Sequence, residues 1–267
     1  VEALQTHIVD DGKAIVVAVH GSGEHLGRYK HIAKWLNDSQ ISMIGGDLPG
    51  LGRAKGKRGH IDDFNDYLRE VDKWIKFAKE NWPDLPIFLY GHSMGGLIVL
   101  RYIETLEDKD LLNGVIVTSP AIKIGVTIPK WQLVIASLLE KIWPTFRMKS
   151  GIKPDQVSRD PNVVEQYTKD PLVYGKVSIG WFFEFVKAIE EVWKNVDKIN
   201  NLNFPILYLQ AGADQLVDPK AADQFVELLH KEKVTYRNIP NLYHEIFNEP
   251  EKEEYLKIMT EWILKTI

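Results

Sequence analysis

Residues 91–95 read Gly-His-Ser-Met-Gly, placing Ser93 with a glycine two positions to either side. Where a strand turns into a helix through such a pentapeptide, the serine takes a strained backbone conformation. The flanking glycines let strand and helix pass closely, and the hydroxyl is thrust out at the carboxyl edge of the sheet. The bland alternative is a glycine-rich turn whose serine only caps the helix. The apolar run "IFLY" before it and the helical "GGLIVLRYIETL" after it favour a nucleophile. A serine hydroxyl is a poor nucleophile at neutral pH, so a base must take its proton and a carboxylate must orient that base.

Eight histidines compete for the role of base. His7, His31 and His230 fall where a helix or strand surface is expected and read as solvated. His20 ends a strand and His92 lies inside the serine turn, so both read as packing residues, while His25 and His60 sit in loops that position alone does not exclude. His244 is best placed, in "NLYHEIFNEPE" between the last strand and the final helix. For the carboxylate, "AGADQLVDP" offers Asp214 and Asp218. Asp218 directly precedes Pro219 and reads as a helix N-cap with proline at the first helical position, which leaves Asp214 for the base. Acyl transfer also needs donors for an oxyanion. The N–H of Met94, just after the nucleophile, is one, and the N–H of Ser22 in "HGSGEHLGRY" is the other.

That second loop supports a rival. Gly21, Gly23 and Gly27 follow a strand and precede a helix, and Asp47 ends the next strand, as in a nicotinamide-dependent oxidoreductase. Against it, Glu24 and His25 occupy the turn where small residues should approach a pyrophosphate, and the serine, aspartate and histidine go unexplained. A metal site at His20, Glu24 and His25 fails on spacing, because zinc helix motifs need H-E-x-x-H or H-x-x-E-H. No metal and no cofactor is expected.

These residues need a scaffold that brings them to one edge. Near-continuous apolar runs at 14–20, 41–47, 86–92, 114–120, 205–212 and 234–240 read as buried strands. They alternate with helices at 62–81, 95–107, 219–231 and 251–265, so the class is α/β, a mostly parallel sheet with helices on both faces. The "DDG" turn at 10–12 predicts a short N-terminal strand folded back antiparallel to the next one. From about Lys123 to Asn201 the alternation stops, and helical stretches such as "IPKWQLVIASLLEKIW" and "SIGWFFEFVKAIEEVW" appear instead. The expected organisation is a core of 1–122 and 202–267 with a helical cap insertion at 123–201.

Composition narrows the classes. At 267 residues the chain fits one large α/β domain with an insertion, and its net charge of -4 gives no pull toward nucleic acid. No cysteine is present, which excludes disulfides, thiolate metal sites and a cysteine nucleophile, and makes the cytoplasm the expected compartment. The first residues lack the basic and apolar regions of a signal peptide, although a start at Val1 leaves a trimmed segment open.

With these motifs in hand, the chain resembles the monoacylglycerol lipase and bacterial lysophospholipase family of the α/β-hydrolase superfamily. "HGSGEHLGRY", "DLPGLGRAKGKRGHIDDF", "GHSMGG", "GADQLVDP" and "YHEIFNEPE" fall in that family's order and spacing. The resemblance implies an α/β-hydrolase fold with Ser93 as nucleophile, Asp214 as acid, His244 as base, and Ser22 and Met94 as the oxyanion hole. It also implies cleavage of single-chain acyl esters through an acyl-enzyme, without a cofactor. One departure is "GLGRA" at 50–54, with Leu51 and Ala54 where the family often has G-H-G-x-S. This favours the lysophospholipase-like branch. In the cap, Trp131, Val134, Ile135, Leu138, Leu139 and Ile142 share one helical face. Trp131, Ile135, Leu138 and Leu139 are therefore the expected substrate-binding residues. That face is suited to lining an acyl tunnel, to transient contact with a lipid surface peripheral to a membrane, or simply to packing the cap on the core. Three alternatives to the lipid ester reading stand: a broad short-chain carboxylesterase or lactonase on the same scaffold, the oxidoreductase, and a fold retained only for ligand binding.

Overall fold

The apolar runs form strands because a segment covered on both faces has no polar side to present. In this computed structural model residues 4–125 and 130–267 are described, with backbone alone for 130–132. The chain begins with β1 (Leu4–His7), β2 (Ala14–Val19), α1 (Lys30–Asp38), β3 (Ile41–Gly46), α2 (Asn65–Asn81), β4 (Ile87–His92), α3 (Met94–Ile103) and β5 (Gly114–Thr118). It leaves the sheet for α4 (Lys130–Ile142), β6 (Arg147–Lys149), α5 (Pro161–Lys169), β7 (Lys176–Ser178), α6 (Ile179–Lys194) and α7 (Val196–Asn200). It returns with β8 (Ile206–Ala211), α8 (Pro219–Glu227), β9 (Val234–Ile239) and α9 (Lys252–Thr266).

The seven-stranded sheet has the order β1-β3-β2-β4-β5-β8-β9, parallel except for β1. Alternate side chains of each strand enter opposite layers. Ile15, Val17 and Val19 belong to one buried layer with Val71 and Trp74 of α2, Leu97 of α3 and Phe225 of α8, while Val16 and Ala18 belong to the other with Ile32 and Leu36 of α1 and Met259 and Ile263 of α9. The helices thus cover both faces, as expected.

Two expectations are corrected. β1 does not pair with β2; it runs antiparallel to β3, with Leu4 opposite Gly46 and His7 opposite Met43. Both edges of β2 are already taken by the parallel ladders to β3 and β4, so the reversing chain finds its free edge one strand further out. β9 is not buried as β2, β3, β4, β5 and β8 are. It is the sheet's last strand, and its residues alternate between half-buried and exposed before ending in buried Ile239.

The segment between β5 and β8 adds no strand to the main sheet among its described residues. It is mostly helical, with β6 and β7 forming a separate antiparallel ribbon in which Met148 faces Val177. The Ser178 side chain caps α6 by accepting the Trp181 N–H, and Ile124 bridges to Val217 where the excursion begins. From β2 the chain places β3 on one side and β4 on the other. In parallel sheets that reversal opens a crevice at the carboxyl ends of the strands. The loops after β2 and β4 carry Ser22 and Ser93.

Candidate active site

β4 passes into α3 through Ser93, whose φ of 55° and ψ of -119° lie in a region that L residues rarely adopt. The glycines explain how this is tolerated. A Cβ on Gly91 would stand 2.3 Å from the carbonyl oxygen of Gly95, and one on Gly95 would stand 2.2 Å from that of Val19. Neighbouring backbone fixes the turn: Ser93 N–H donates to Thr118 O at 3.0 Å, and Ser93 O accepts from Leu97 and Ala121 at 3.0 and 2.9 Å.

Asp214 sits in the loop after β8, buried and fully engaged. Its Oδ1 accepts the N–H groups of Leu216 and Val217 at 2.8 and 3.1 Å, and its Oδ2 accepts from His244 Nδ1 at 2.6 Å. That bond puts the ring proton on Nδ1 and leaves Nε2 with a lone pair. Burial pushes the His244 pKa down, but the charge and hydrogen bond of Asp214, with Glu245 and Glu24, outweigh it, so the net shift is upward. Burial alone would raise the Asp214 pKa; His244 and the two backbone donors instead hold it below the usual value. The His92 ring packs 4.8 Å from that of His244, and burial followed by the His244 charge lowers its pKa to about 4, so His92 stays neutral. Asp218 does something else. It caps α8 by accepting the Lys220 N–H at 3.0 Å and pairs with Lys123 at 2.8 Å.

Ser93, His244, Ser22 and Met94 all line one cavity of about 390 Å³. The structure therefore brings Asp214 and His244 into hydrogen-bond contact and Ser93 and His244 to a shared wall. No protein acceptor engages the N–H of Ser22 or of Met94 among the described residues. The competing histidines are engaged elsewhere: His25 bonds Asp170 at 2.8 Å, and His60 bonds Ser178 and Asp62. His31, expected to be solvated, is half-buried and bonds Phe247 O at 2.7 Å. The dinucleotide reading loses its ribose ligand, because the Asp47 carboxylate already accepts the N–H groups of Leu26 and Arg53. Among the described residues no group of three or more His, Asp or Glu side chains is arranged to hold a metal ion.

The cap residues need correction. Ile135 and Leu138 are 49% and 59% exposed, Leu139 is half-buried outside the cavity, and the side chain of Trp131 lies outside the described residues. Leu133 and Ala136 form the α4 part of the wall instead. Helical period identifies an apolar face but not its direction, and here the broad stripe turns toward solvent. The sequence reading also passed over Trp181, Phe182 and Phe185 of α6, which line the same cavity. The signal was present in "GWFFEF", where aromatic residues lie on more of the helix than one packing stripe requires.

Comparison with known proteins agrees with this geometry. The family described as serine aminopeptidase, S33, matches residues 10–251. Phospholipase YtpA of Bacillus subtilis is 36% identical over 244 residues, covering 91% of this chain and 92% of that one. The monoacylglycerol lipase of Mycolicibacterium smegmatis is 30% identical over 256 residues, covering 95% and 89%. The crystal structure of a Paleococcus ferrophilus monoacylglycerol lipase superposes with a TM-score of 0.88 at 31% identity, covering 99% of this chain and 98% of that one. The fold is the α/β-hydrolase fold.

The electrostatics of the pair can be checked directly. By NMR, His244 should titrate with a midpoint above histidine's ordinary value of about 6.5. Asp214→Asn removes the charge that raises it and should lower the midpoint. Asp218→Asn should leave the midpoint in place and cost at most about a helix cap's 1 kcal/mol of stability. A midpoint that moved with Asp218 rather than Asp214 would reverse the assignment.

Proposed function

The chain belongs to the serine aminopeptidase, S33, family of α/β-hydrolases, and on that premise we propose that it is a serine esterase cleaving the acyl ester of monoacylglycerols or lysophospholipids. One observation carries the reading: a serine in a strained strand-to-helix turn shares an apolar cavity with a histidine already hydrogen-bonded to a buried aspartate. Ser93 Oγ attacks the ester carbonyl while His244 Nε2 takes its proton. The negative charge that develops on the carbonyl oxygen is held by the N–H groups of Ser22 and Met94, each such donor being worth about 3 kcal/mol in the transition state. The intermediate collapses, the C–O bond to the alcohol breaks, and His244 returns the proton to the leaving oxygen. Water then attacks the acyl-enzyme with His244 again taking a proton, which releases the fatty acid and restores Ser93.

The wall favours an acyl chain over a peptide. Trp181, Phe185, Leu133 and Val217 line it. The two carboxylates beside Ser93 and His244, Glu24 and Glu245, are both engaged by Arg28 and so do not stand ready for the free ammonium group of a peptide N-terminus. Residues 123–201 act as the cap in this reading. The outer face of α4 and the turn after it leave Leu138, Ile142 and Trp143 59%, 82% and 57% exposed. A contiguous apolar patch of that kind on a water-soluble surface marks an interaction site, and a lipid surface is the partner that also supplies the substrate. Among the described residues no helix is long and apolar enough to cross a membrane. The contact is peripheral, in a cytoplasmic setting that the lack of cysteine suits.

A fluorophosphonate probe should label Ser93, and Asp214→Asn should lower turnover roughly ten-thousandfold. Activity should fall as the pH drops through a midpoint above about 6.5, because only neutral His244 accepts the serine proton. Labelling at another serine, or a flat rate from about pH 5 to 8, would sink the mechanism.

Chain length tests the cavity. Each methylene buried should contribute about 0.8 kcal/mol, nearly fourfold in kcat/KM, so specificity should climb from butyryl toward about ten carbons and then level off. Ala136→Trp should obstruct long chains and spare short ones. A maximum at acetyl or butyryl followed by a fall would place the enzyme among short-chain esterases.

The outer patch makes a separate prediction. Ile142→Glu should weaken binding to phosphatidylglycerol vesicles and slow hydrolysis of vesicle-borne lipid, with soluble butyryl ester turnover unchanged within about twofold. Equal vesicle binding by both proteins would remove the lipid surface as the patch's partner.

A further inference from the structure

In the proposed chemistry the Ser22 N–H comes from the loop after β2 and His244 from the loop after β9. Between those loops lies Arg28, part-buried against two buried carboxylates. Its guanidinium donates to both oxygens of Glu245, Nη1 to Oε1 and Nη2 to Oε2, each at 2.7 Å, and Nη1 also donates to Glu24 Oε2. Glu24 Oε1 accepts the N–H of Gly21 and the hydroxyl of Tyr29, both at 2.7 Å. Asn248 donates to Glu245 at 2.7 Å, and the ring of Tyr167, from α5 in the cap, lies 4.8 Å from the guanidinium carbon. Glu24 and Glu245 are only 3% and 6% exposed.

Buried ion pairs contribute little net stability compared with apolar residues of the same volume, because desolvation offsets their attraction. What a bidentate Arg–carboxylate pair does supply is a fixed geometry. Here the geometry converges on one peptide. His20 Nε2 faces the Leu48 N–H at 2.9 Å, so Nε2 must be the accepting nitrogen and Nδ1 carries the proton. Nδ1 lies 2.9 Å from the Gly21 carbonyl, which it therefore holds by donation. In a trans peptide the N–H points opposite the C=O, so fixing the Gly21 carbonyl aims the Ser22 N–H. Glu24 fixes the same glycine from its other side through the Gly21 N–H.

We propose that Glu24 and Arg28 are positioning residues which, with Glu245, clamp the oxyanion loop to the loop that carries His244. The clamp rests on the Ser93 esterase reading and acts on how the tetrahedral intermediate is held. The charged and titratable groups facing His244 are Asp214 after β8, Glu245 beside it, Glu24 after β2 and the ring of His92 from β4. Neutralising Glu24 therefore also removes a negative charge that favours protonated His244.

The test compares Ser93→Ala, Glu24→Gln and Arg28→Lys with the unaltered protein on p-nitrophenyl butyrate, and measures inhibition by a trifluoromethyl ketone that forms a tetrahedral adduct. In Glu24→Gln the amide oxygen still reaches the Gly21 N–H, but the charged grip on Arg28 is lost. Its kcat should fall about tenfold to a hundredfold, less than outright loss of an oxyanion donor, with KM within about twofold. Affinity for the ketone should fall by a similar factor, and the acid limb of the pH profile should move to lower pH. Arg28→Lys keeps the charge without the bidentate fork and should share the loss of kcat. If Arg28→Lys does not fold, Glu24→Gln decides alone. A lower melting temperature in Glu24→Gln, with kcat, ketone affinity and acid limb unchanged, would overturn the clamp and leave a structural brace. Activity retained in Ser93→Ala would overturn the esterase reading beneath it, and the clamp with it.

Discussion

Ser93 at φ 55° is the constraint on which the architecture turns. A non-glycine residue in that region costs on the order of 1–3 kcal/mol and persists only where its surroundings over-determine it. The surroundings here are the parallel sheet itself. Thr118 at the end of β5 accepts the serine N–H, Ala121 beyond it donates to the serine carbonyl, and Leu97 of α3 shares that carbonyl. Helix α3 can begin at this steep angle only because Gly95 lets it press against the Val19 carbonyl of β2. The strained serine is therefore held by three strands and a helix at once, and the fold as a whole keeps the hydroxyl at the cavity wall.

The charges around it follow from burial. Removed from water, a carboxylate is stabilised only by what it touches, and Asp214 touches two backbone N–H groups and His244. His92, equally buried, has Thr118 and not a carboxylate as its hydrogen-bond partner, so burial first and the His244 charge second drive it the other way and it stays uncharged. Two adjacent imidazoles thus have opposite electrostatic characters, and the partner decides which one gains a proton readily.

How much could be read from sequence depends on how local the cause was. The buried strands were legible because coverage on both faces leaves an unbroken apolar run, and the serine turn was legible because only glycine satisfies its two close approaches. Asp218 was separable from Asp214 because a cap followed by proline is a local signature, and the cap is present. Non-local choices were not legible. The turn at 10–12 showed that the chain reverses, whereas the edge it joins depends on which edges other strands had filled. His20 looked like packing because the hydrogen bond that fixes its tautomer comes from Leu48, a partner brought to it only by the fold. The inward face of α4 was misjudged for a related reason. A helix between a cavity and solvent can be apolar on both sides, and the rule that the apolar face is the buried one then fails.

That double-sidedness of α4 has a physical consequence. Leu133 and Ala136 face the cavity while Leu138 and Ile142 face outward on the same helix, and Met148 of the adjoining ribbon is both exposed and part of the cavity wall. In the proposed function an acyl chain leaves a lipid layer and ends in that cavity. Crossing water on the way would cost about 0.8 kcal/mol for every methylene exposed, several kcal/mol for even a modest chain. A thin apolar partition, one helix thick and seated on the lipid surface, removes most of that barrier because the chain passes from one apolar surface to the next. On the proposed reading, the exposed residues, unfavourable for a protein alone in water, form the outer half of a path whose inner half is the cavity wall.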